Sequence, residues 1–553
     1  MPELKVVKKK KGLRLGGGDT SEAIGGSSLR PRYTPKNPPC TISCPIGTKI
    51  REYMTMIKDG ETFERVWEHI TDFNPLPAIT GRVCPHPCEG GCNREALDGA
   101  VGINDIERYI GTYGIEHKLR HKKLTDQNFP EKIAVIGAGP AGISCAYHLA
   151  RRGYSVTIFE AKEKTGGMLR YGIPRYRLPD EIIDAEYNSI ISDLGIELKC
   201  GVKVGKDISY DELKKQFQVI YIAIGAQKGS KLNVPGEDAV NVLTGVDFLE
   251  QVNSGRKVDI GNKVCVIGGG DTAIDAARVS RRLGADVTIL YRRTINEMPA
   301  IKTEVEEAQE EGIHFEFLTA PVEIIKDGNK ATGIKCIRME LGSPDASGRP
   351  RPVPIKGSEF TVEASAIITA VSQIVDFTGL ERFKNERGWI SVNDHYETAE
   401  KNVYAGGDVT QELDIAATAI GLGRKAALAI DNYLRAREEP KEAPLPEVSY
   451  KQMNLSYYEK LPKVKKQLLP VAERINNFKE ISFTITEEQV RAEAKRCMSC
   501  GQCFFCERCW MFCQYNAVVK PAVKGEPYKF KLEFCIGCKK CAEQCPCGYI
   551  DMI

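Results

Sequence analysis

The chain has 553 residues, 42% hydrophobic and 27% charged, with a formal net charge of +3. Near-balanced charge gives no support for a nucleic-acid or membrane-surface partner. No apolar run approaches the roughly 18 residues of a spanning helix and no signal core opens the chain, so a cytoplasmic protein is expected rather than a membrane or secreted one.

At about 100–200 residues per domain, the length predicts three to five domains. Residues 1–32 are basic, then Gly/Ser-rich, and read as a flexible tail. Residues 33–125 show helical periodicity (IREYMTMIKDG, ETFERVWEHI) around Cys-Pro turns, predicting a small helical domain. From Ile133, short β-branched strands alternate with Ala-rich helices: KIAVIGAGPAGISCAYHLARRG, then YSVTIFE. The pattern recurs at 263–290 as KVCVIGGGDTAIDAARVSRRLG, then ADVTILY. Two βαβ openings predict an α/β fold with two Rossmann-like dinucleotide-binding domains. Residues 437–490, rich in Pro, Lys and Glu, read as a linker to a cysteine-dense segment at 491–553.

Cysteine is the unusual component. Of 20, five lie between Cys40 and Cys92, eleven between Cys497 and Cys547, and four in the long stretch between. Without an export signal, clustered cysteines favour metal binding over disulfides. The C-terminal segment contains Cys503-x2-Cys506-x2-Cys509-x3-Cys513 and Cys535-x2-Cys538-x2-Cys541-x3-Cys545-Pro546. Thiolates three apart wrap three corners of one cubane, and the fourth cysteine is carried to the other cluster. Cys503, Cys506, Cys509 and Cys545 are therefore expected to hold one 4Fe–4S cluster, and Cys535, Cys538, Cys541 and Cys513 another. Paired C-x2-C knuckles also serve zinc, but two complete quartets favour a ferredoxin-like domain. Gln514 stands where a proline usually follows the first quartet. Cys145, Cys200, Cys265 and Cys336 are single and read as small core residues, and Cys547 has no assigned role.

The first glycine motif is Gly137-x-Gly139-Pro140-Ala141-Gly142, between a strand and a helix whose first amides face phosphates. Glu160 follows Gly137 by 23 residues, where a carboxylate accepts ribose hydroxyls. The second motif is Gly268-x-Gly270-Asp271-Thr272-Ala273. Here the same count lands on Tyr291, followed by Arg292 and Arg293. Guanidiniums in place of a carboxylate lean towards a 2′-phosphate and hence NADPH, with ordinary surface charge as the alternative. The preference between NADH and NADPH stays open.

These pieces resemble the iron–sulfur flavoproteins of the glutamate synthase small-subunit type, over about residues 33–553. Thr165-Gly166-Gly167-Met168-Leu169-x-Tyr171-Gly172-Ile173-Pro174 looks like that family's flavin-side loop, and Ile224-Gly225-Ala226 with Thr369-Ala370 like its strand-end crossovers. Asn402-Val403-Tyr404-Ala405-Gly406-Gly407-Asp408 looks like its late FAD motif, in which Asp408 meets the ribityl chain. The resemblance implies FAD in the first site and NAD(P)H in the second. The FAD domain would span 126–255 and 381–436, with the nicotinamide domain, about 256–380, inserted between them. No protein side chain is expected as the catalytic group: hydride passes from nicotinamide to flavin, and the protein orients them.

The resemblance also covers Cys40-x3-Cys44-Pro45 and Cys84-x3-Cys88-x3-Cys92, which look like the family's N-terminal iron–sulfur domain. It implies that Cys44, Cys84 and Cys88 ligate a flavin-proximal cluster whose fourth ligand is Glu107. An ordinary exposed helix residue is the alternative for Glu107. A second family cluster uses a C-x2-C pair upstream of Cys40, and that pair is absent here: residues 33–39 read YTPKNPP. Its usual text appears instead at Arg496-Cys497-Met498-Ser499-Cys500-Gly501. Cys40, Cys92, Cys497 and Cys500 are therefore expected to share one cluster across the domain boundary. The alternative leaves Cys497 and Cys500 unliganded.

The expected function is an NAD(P)H:acceptor oxidoreductase, reversible in principle, passing electrons from FAD through 4Fe–4S clusters to a protein that docks near the C-terminal ferredoxin. RCMSCGQCFFCERCW and CPCGYI look most like the members of this family linked to dissimilatory sulfite reductase; this implies a sirohaem sulfite reductase partner and a place in sulfur metabolism. A glutamate synthase small subunit and a non-catalytic electron-wiring subunit remain as rival readings. The oligomeric state, a homodimer included, is left open.

Overall fold

The alternation of β-branched runs and Ala-rich stretches becomes two five-stranded parallel sheets in a computed structural model that describes residues 27–345, 348–410, 415–437, 444–523 and 525–553. The first sheet has the order Val403–Ala405, Val219–Ile222, Lys132–Ile136, Ser155–Glu160, Glu197–Cys200. Its central strands carry almost no polar residue because both faces are covered: Ile133, Ala134 and Val135 are fully buried. The outermost strand, Val403–Ala405, arrives from far along the chain, so the second sheet is inserted between the first sheet's strands.

That second sheet has the order His314–Phe317, Asp286–Tyr291, Lys263–Ile267, Ala366–Thr369, Val242–Thr244. The pairing of Val242–Thr244 with Ala366–Thr369 places the crossing into the inserted domain ahead of about residue 256, the start that the family resemblance implies. An antiparallel sheet built on Thr319–Asp327, Lys330–Pro344 and Pro350–Pro354 is appended.

Before the first sheet come the helices Ile50–Lys58, Phe63–Thr71, Pro77–Val83 and Ile103–Glu116, packed around Tyr53, Met54, Val66, Ile70, Ile106 and Ile110. Two of them touch backbone to backbone. A Cβ on Gly81 would lie 2.3 Å from the Arg108 nitrogen, and one on Gly111 2.1 Å from that of Ala78. This close crossing sets Cys84, at the end of Pro77–Val83, beside the middle of Ile103–Glu116.

Leu461–Cys497 belongs to the same unit as these domains. The Pro/Lys/Glu-rich stretch expected to be a linker is, from residue 461, a strap across all three. Arg474 Nη2 reaches Glu310 of the inserted domain at 2.7 Å, and the Ile481 amide donates to the Tyr176 carbonyl at 3.0 Å. Glu480 Oε1 pairs with both Arg82 and Arg108 of the helical domain. The helix Glu487–Lys495 then buries Val490 and Ala494 in the helical core. Composition hid this because a few apolar anchors and buried ion pairs hold the strap.

The smaller unit comprises 444–460, 498–553 and the described part of 1–39. Its cysteine loops run into the short helices Arg508–Met511 and Lys540–Glu543, beside the hairpin of Val518–Val519 and Lys529–Phe530. Pro31–Tyr33, expected to straddle the end of a tail, is a strand paired antiparallel with Ile550–Met552. The lysine run at 8–11 lies outside the described residues.

Candidate nucleotide and iron–sulfur sites

Two cavities open at the strand ends of the two parallel sheets. The first, about 540 Å³, is lined by Gly137, Gly139, Pro140, Ala141, Glu160, Gly167, Met168, Gly225, Gly407 and Asp408 among others. Gly142 lies one step behind this wall: a Cβ there would come 1.9 Å from the Gly137 carbonyl oxygen, so only glycine closes the turn. The Glu160 carboxylate accepts from the Ala138 amide at 2.7 Å and from the Lys162 amide at 2.8 Å. It therefore braces the glycine loop as well as facing the cavity. Leu169 is buried in the core of the first sheet and lines the second cavity. This cradle of glycine backbone, helix N-terminus and carboxylate fits a dinucleotide.

The second cavity, about 1000 Å³, is lined by Gly268, Gly270, Asp271, Thr272, Arg292 and Arg293. Ala273 packs behind it in the core. Asp271 Oδ1 accepts from the Ile301 amide at 2.9 Å, which closes one wall. The two arginines differ. Arg293 is buried, donating through Nε to the Pro350 carbonyl and through Nη2 to Asp345 at 2.6 Å, so its charge holds the appended hairpin. Arg292 is exposed at the rim, and Arg349, which sequence reasoning did not single out, lines the same cavity. The two cavities share Pro140, Met168, Asp408 and Ala419.

The larger cavity also reaches Val83 and Pro85, the neighbours of Cys84. Behind them Cys44, Cys84, Cys88 and Glu107 line one small space with Tyr53, Thr80 and Ala417. Glu107 is not an ordinary surface residue: its carboxyl is enclosed, pushed up to about 7 by burial, and accepts from Asn74 Nδ2 at 2.8 Å. Burial pushes the Cys84 thiol up to about 12, while the His86 amide donates to it and acts the other way; the amides of Thr48 and Ile46 do the same for Cys44. Among the described residues no three His, Cys, Asp or Glu converge on a single-ion site. A cubane is held by ligands on separate irons, so thiols ringing a space, with amides aimed at sulfur, fit it.

Cys40, Cys92 and Cys497 all pack against the same helical core, as does Cys44. Cys92 and Cys497 are close enough to interact electrostatically, and the amides of Val101 and Arg94 face the Cys92 sulfur. Tyr53, almost fully buried, faces Cys40 as well as Cys44, Cys88 and Glu107. Cys500 belongs to the smaller unit and packs beside Val448, Met453 and Met498.

In the smaller unit Cys513, Cys535, Cys538 and Cys541 line one space. Cys503, Cys506, Cys509 and Cys545 interact mutually around another. The two loops match: Phe505 and Gly537, then Glu507 and Lys539, take left-handed conformations that turn amides toward sulfur. The Ala517 amide lies 3.2 Å from Cys513 Sγ, Gly537 3.4 Å from Cys535 Sγ and Tyr549 3.3 Å from Cys545 Sγ. Cys547, surplus in the sequence, lies with its Sγ 3.8 Å from that of Cys545. Cys145, Cys265 and Cys336 are buried in cores, the last two in the same one, while Cys200 is half-buried.

One buried carboxylate joins the helical and flavin-side domains. Glu186 accepts from the Ala78 and Ile79 amides at 2.7 and 3.0 Å, and burial pushes it up to about 8. Its folded value lies above the unfolded one, so its stabilising contribution is complete below the unfolded value and lost as pH rises through about 8. Glu186→Gln is expected to remove that fall. Denaturation midpoints should show a variant whose stability no longer falls between pH about 4.5 and about 8, but which loses about 1 kcal/mol at low pH because glutamine offers an acceptor to only one of the two amides.

Residues 131–423 match the pyridine nucleotide-disulphide oxidoreductase family, and 31–119 match dihydropyrimidine dehydrogenase domain II, a 4Fe–4S cluster domain. The chain is 35% identical over 520 residues to the NADP(+)-dependent formate dehydrogenase subunit beta of Moorella thermoacetica, across 88% of this chain and 73% of that one. It is 36% identical over 514 residues to the NADPH-Fe(3+) oxidoreductase subunit beta of Geobacter sulfurreducens, across 84% and 75%. Against the glutamate synthase (NADPH) small chain of Escherichia coli it is 35% identical over 424 residues, across 72% and 89%. Among solved structures, FprA of Mycobacterium tuberculosis shares the fold, with a TM-score of 0.51 at 21% identity over 56% of this chain and 85% of that one. No helix of the described residues is long and apolar enough to cross a membrane.

Proposed function

The chain belongs to the pyridine nucleotide-disulphide oxidoreductase family and is an iron–sulfur flavoprotein NAD(P)H oxidoreductase; we propose that it takes electrons from NADPH and delivers them singly to a protein partner. FAD supplies the conversion, accepting a hydride and releasing single electrons. One observation carries the reading. The nucleotide cavity, through Val83 and Pro85, abuts the space ringed by Cys44, Cys84, Cys88 and Glu107, so an electron leaving the flavin side meets a thiolate site at once.

The residues divide the work. Gly137, Gly139, Gly142 and Glu160 would hold the FAD pyrophosphate and ribose, and Asp408 its ribityl chain. Gly268, Gly270 and Thr272 would hold the nicotinamide dinucleotide, with Arg292 at the 2′-phosphate. Cys44, Cys84 and Cys88 with Glu107 would bind the first cluster, and Cys40, Cys92 and Cys497 would serve the second. Anaerobic mixing with NADPH or NADH tests the core of this: NADPH should bleach the flavin and develop reduced-cluster electron paramagnetic resonance (EPR) signals. Bleaching by neither nucleotide would leave the electron-wiring reading in its place. Arg292→Gln should raise the KM for NADPH roughly tenfold and leave that for NADH unmoved, since one charge-assisted contact is lost.

The two relatives named subunit beta support work within a multi-subunit assembly. For the partner itself we propose a sirohaem sulfite reductase, supported by the likeness of RCMSCGQCFFCERCW and CPCGYI to flavoproteins of that system. Purification from the native cell with a sirohaem chromophore would support it. A co-purifying formate dehydrogenase activity would overturn it.

A further inference from the structure

Tyr33 sits in the segment whose composition promised the least, yet the fold places it against the ferredoxin cysteines. Its strand, Pro31–Tyr33, is paired with Ile550–Met552, and the Thr34 amide donates to the Tyr549 carbonyl at 2.9 Å. The ring packs on Phe530 with centroids 4.5 Å apart and on Tyr549 at 5.4 Å. Strand and rings together fix where the hydroxyl points.

That hydroxyl is buried and has no hydrogen-bond partner, sulfur included, among the described residues. The ring packs against the core that holds Cys509, Cys541 and Cys545, and the groups that act on the hydroxyl are the sulfurs of Cys509, Cys503 and Cys541. A buried hydroxyl without an acceptor is costly, because it gives up its hydrogen bonds to water and gains none in return. A phenylalanine would fill the same place beside Phe530 and Tyr549 without that cost. The hydroxyl makes sense if its acceptor is a thiolate bound to iron, which is a far better acceptor than a neutral thiol.

We propose that Tyr33 donates a hydrogen bond to the Cys509 thiolate of the ferredoxin, standing between the two cluster sites and raising the potential of the cluster held by Cys503, Cys506, Cys509 and Cys545. The inference rests on the quartets binding 4Fe–4S clusters as proposed above. Physically, a donor at a ligand sulfur stabilises the more negative, reduced cluster, so it favours electron residence there. Backbone amides reach sulfur in both quartets, at Cys545 of this one and at Cys513 and Cys535 of the other, so the Tyr33 side-chain hydroxyl is an addition to what the amides supply. The hydroxyl raises the potential of this cluster above the value it would have without it, with Tyr33 as a positioning residue for electrons rather than a catalytic one.

The test is Tyr33→Phe in the full-length holoprotein, which keeps the ring and removes only the hydroxyl. Iron and sulfide content and an EPR-monitored redox titration are measured together. The expected result is unchanged iron and one cluster potential moved to a more negative value. Unchanged iron with all potentials unmoved would overturn the proposal while leaving the cluster reading intact. Loss of iron from Tyr33→Phe would also overturn it, since the hydroxyl would then be holding the cluster together rather than tuning it. Cys509→Ala and Cys541→Ala separate the two layers: if neither lowers the iron content, the cluster reading itself fails.

Discussion

Gly142→Val is expected to give a folded protein without flavin, with NADPH-dependent dye reduction lowered about 100-fold or more. A Cβ at this position would lie 1.9 Å from the Gly137 carbonyl oxygen and 3.2 Å from a Val135 methyl. The clash is with main chain inside a βα turn, so it is relieved only by opening the turn. The phosphate-facing amides at the start of the Pro140–Arg151 helix would then lose their aim. Flavin-to-protein ratio after desalting is the direct readout. Full flavin occupancy in the variant would mean that this loop does not hold the dinucleotide. The iron content should be unchanged, because the cysteine sites lie on other elements.

Arg496→Ala is expected to lower stability by about 3–5 kcal/mol, the cost of leaving a buried charge without its partner. The Arg496 guanidinium is almost fully buried and donates to the Ala100 and Gly99 carbonyls at 2.9 and 2.7 Å and to Asp98 at 3.0 Å. It also pairs with Glu493, which is equally buried and receives the Gly102 and Val464 amides at 2.7 and 2.9 Å. Alanine would strand the Glu493 carboxylate and release the last turn of the strap from the helical domain. Because Cys497 is the next residue, a lowered first unfolding transition should come with loss of part of the iron. Calorimetry and iron assay on the same sample check both. An Arg496→Lys variant should recover only part of the stability, because an ammonium cannot reach four acceptors in one plane.

Much of this protein was legible one segment at a time. The glycine motifs, Glu160 and the β-branched strands announce two dinucleotide domains because a tight βα turn and a doubly covered strand impose residue types locally. The ferredoxin quartets are equally local, since three thiols per cluster come from a single short loop. Arg293 shows the limit of such reading. Its neighbour Arg292 faces the cavity rim, while Arg293 is turned inward to Asp345 and Pro350, a difference set by a hairpin more than 50 residues away.

What the amino-acid sequence determined by itself was therefore the chemistry carried by contiguous motifs: two nucleotide folds, two cysteine quartets and an N-terminal cysteine set. Tertiary structure alone decided which distant residues meet. It drew Cys497 to Cys92 by burying Val490 and Ala494 in the helical core. It enclosed Glu107 beside Cys84 because glycines 81 and 111 let two helices touch. The stretch from Leu461 became a strap, and Tyr33 was brought to the ferredoxin sulfurs by an added strand. Such meetings depend on a few buried ion pairs and close backbone crossings, which leave no periodicity for composition to reveal.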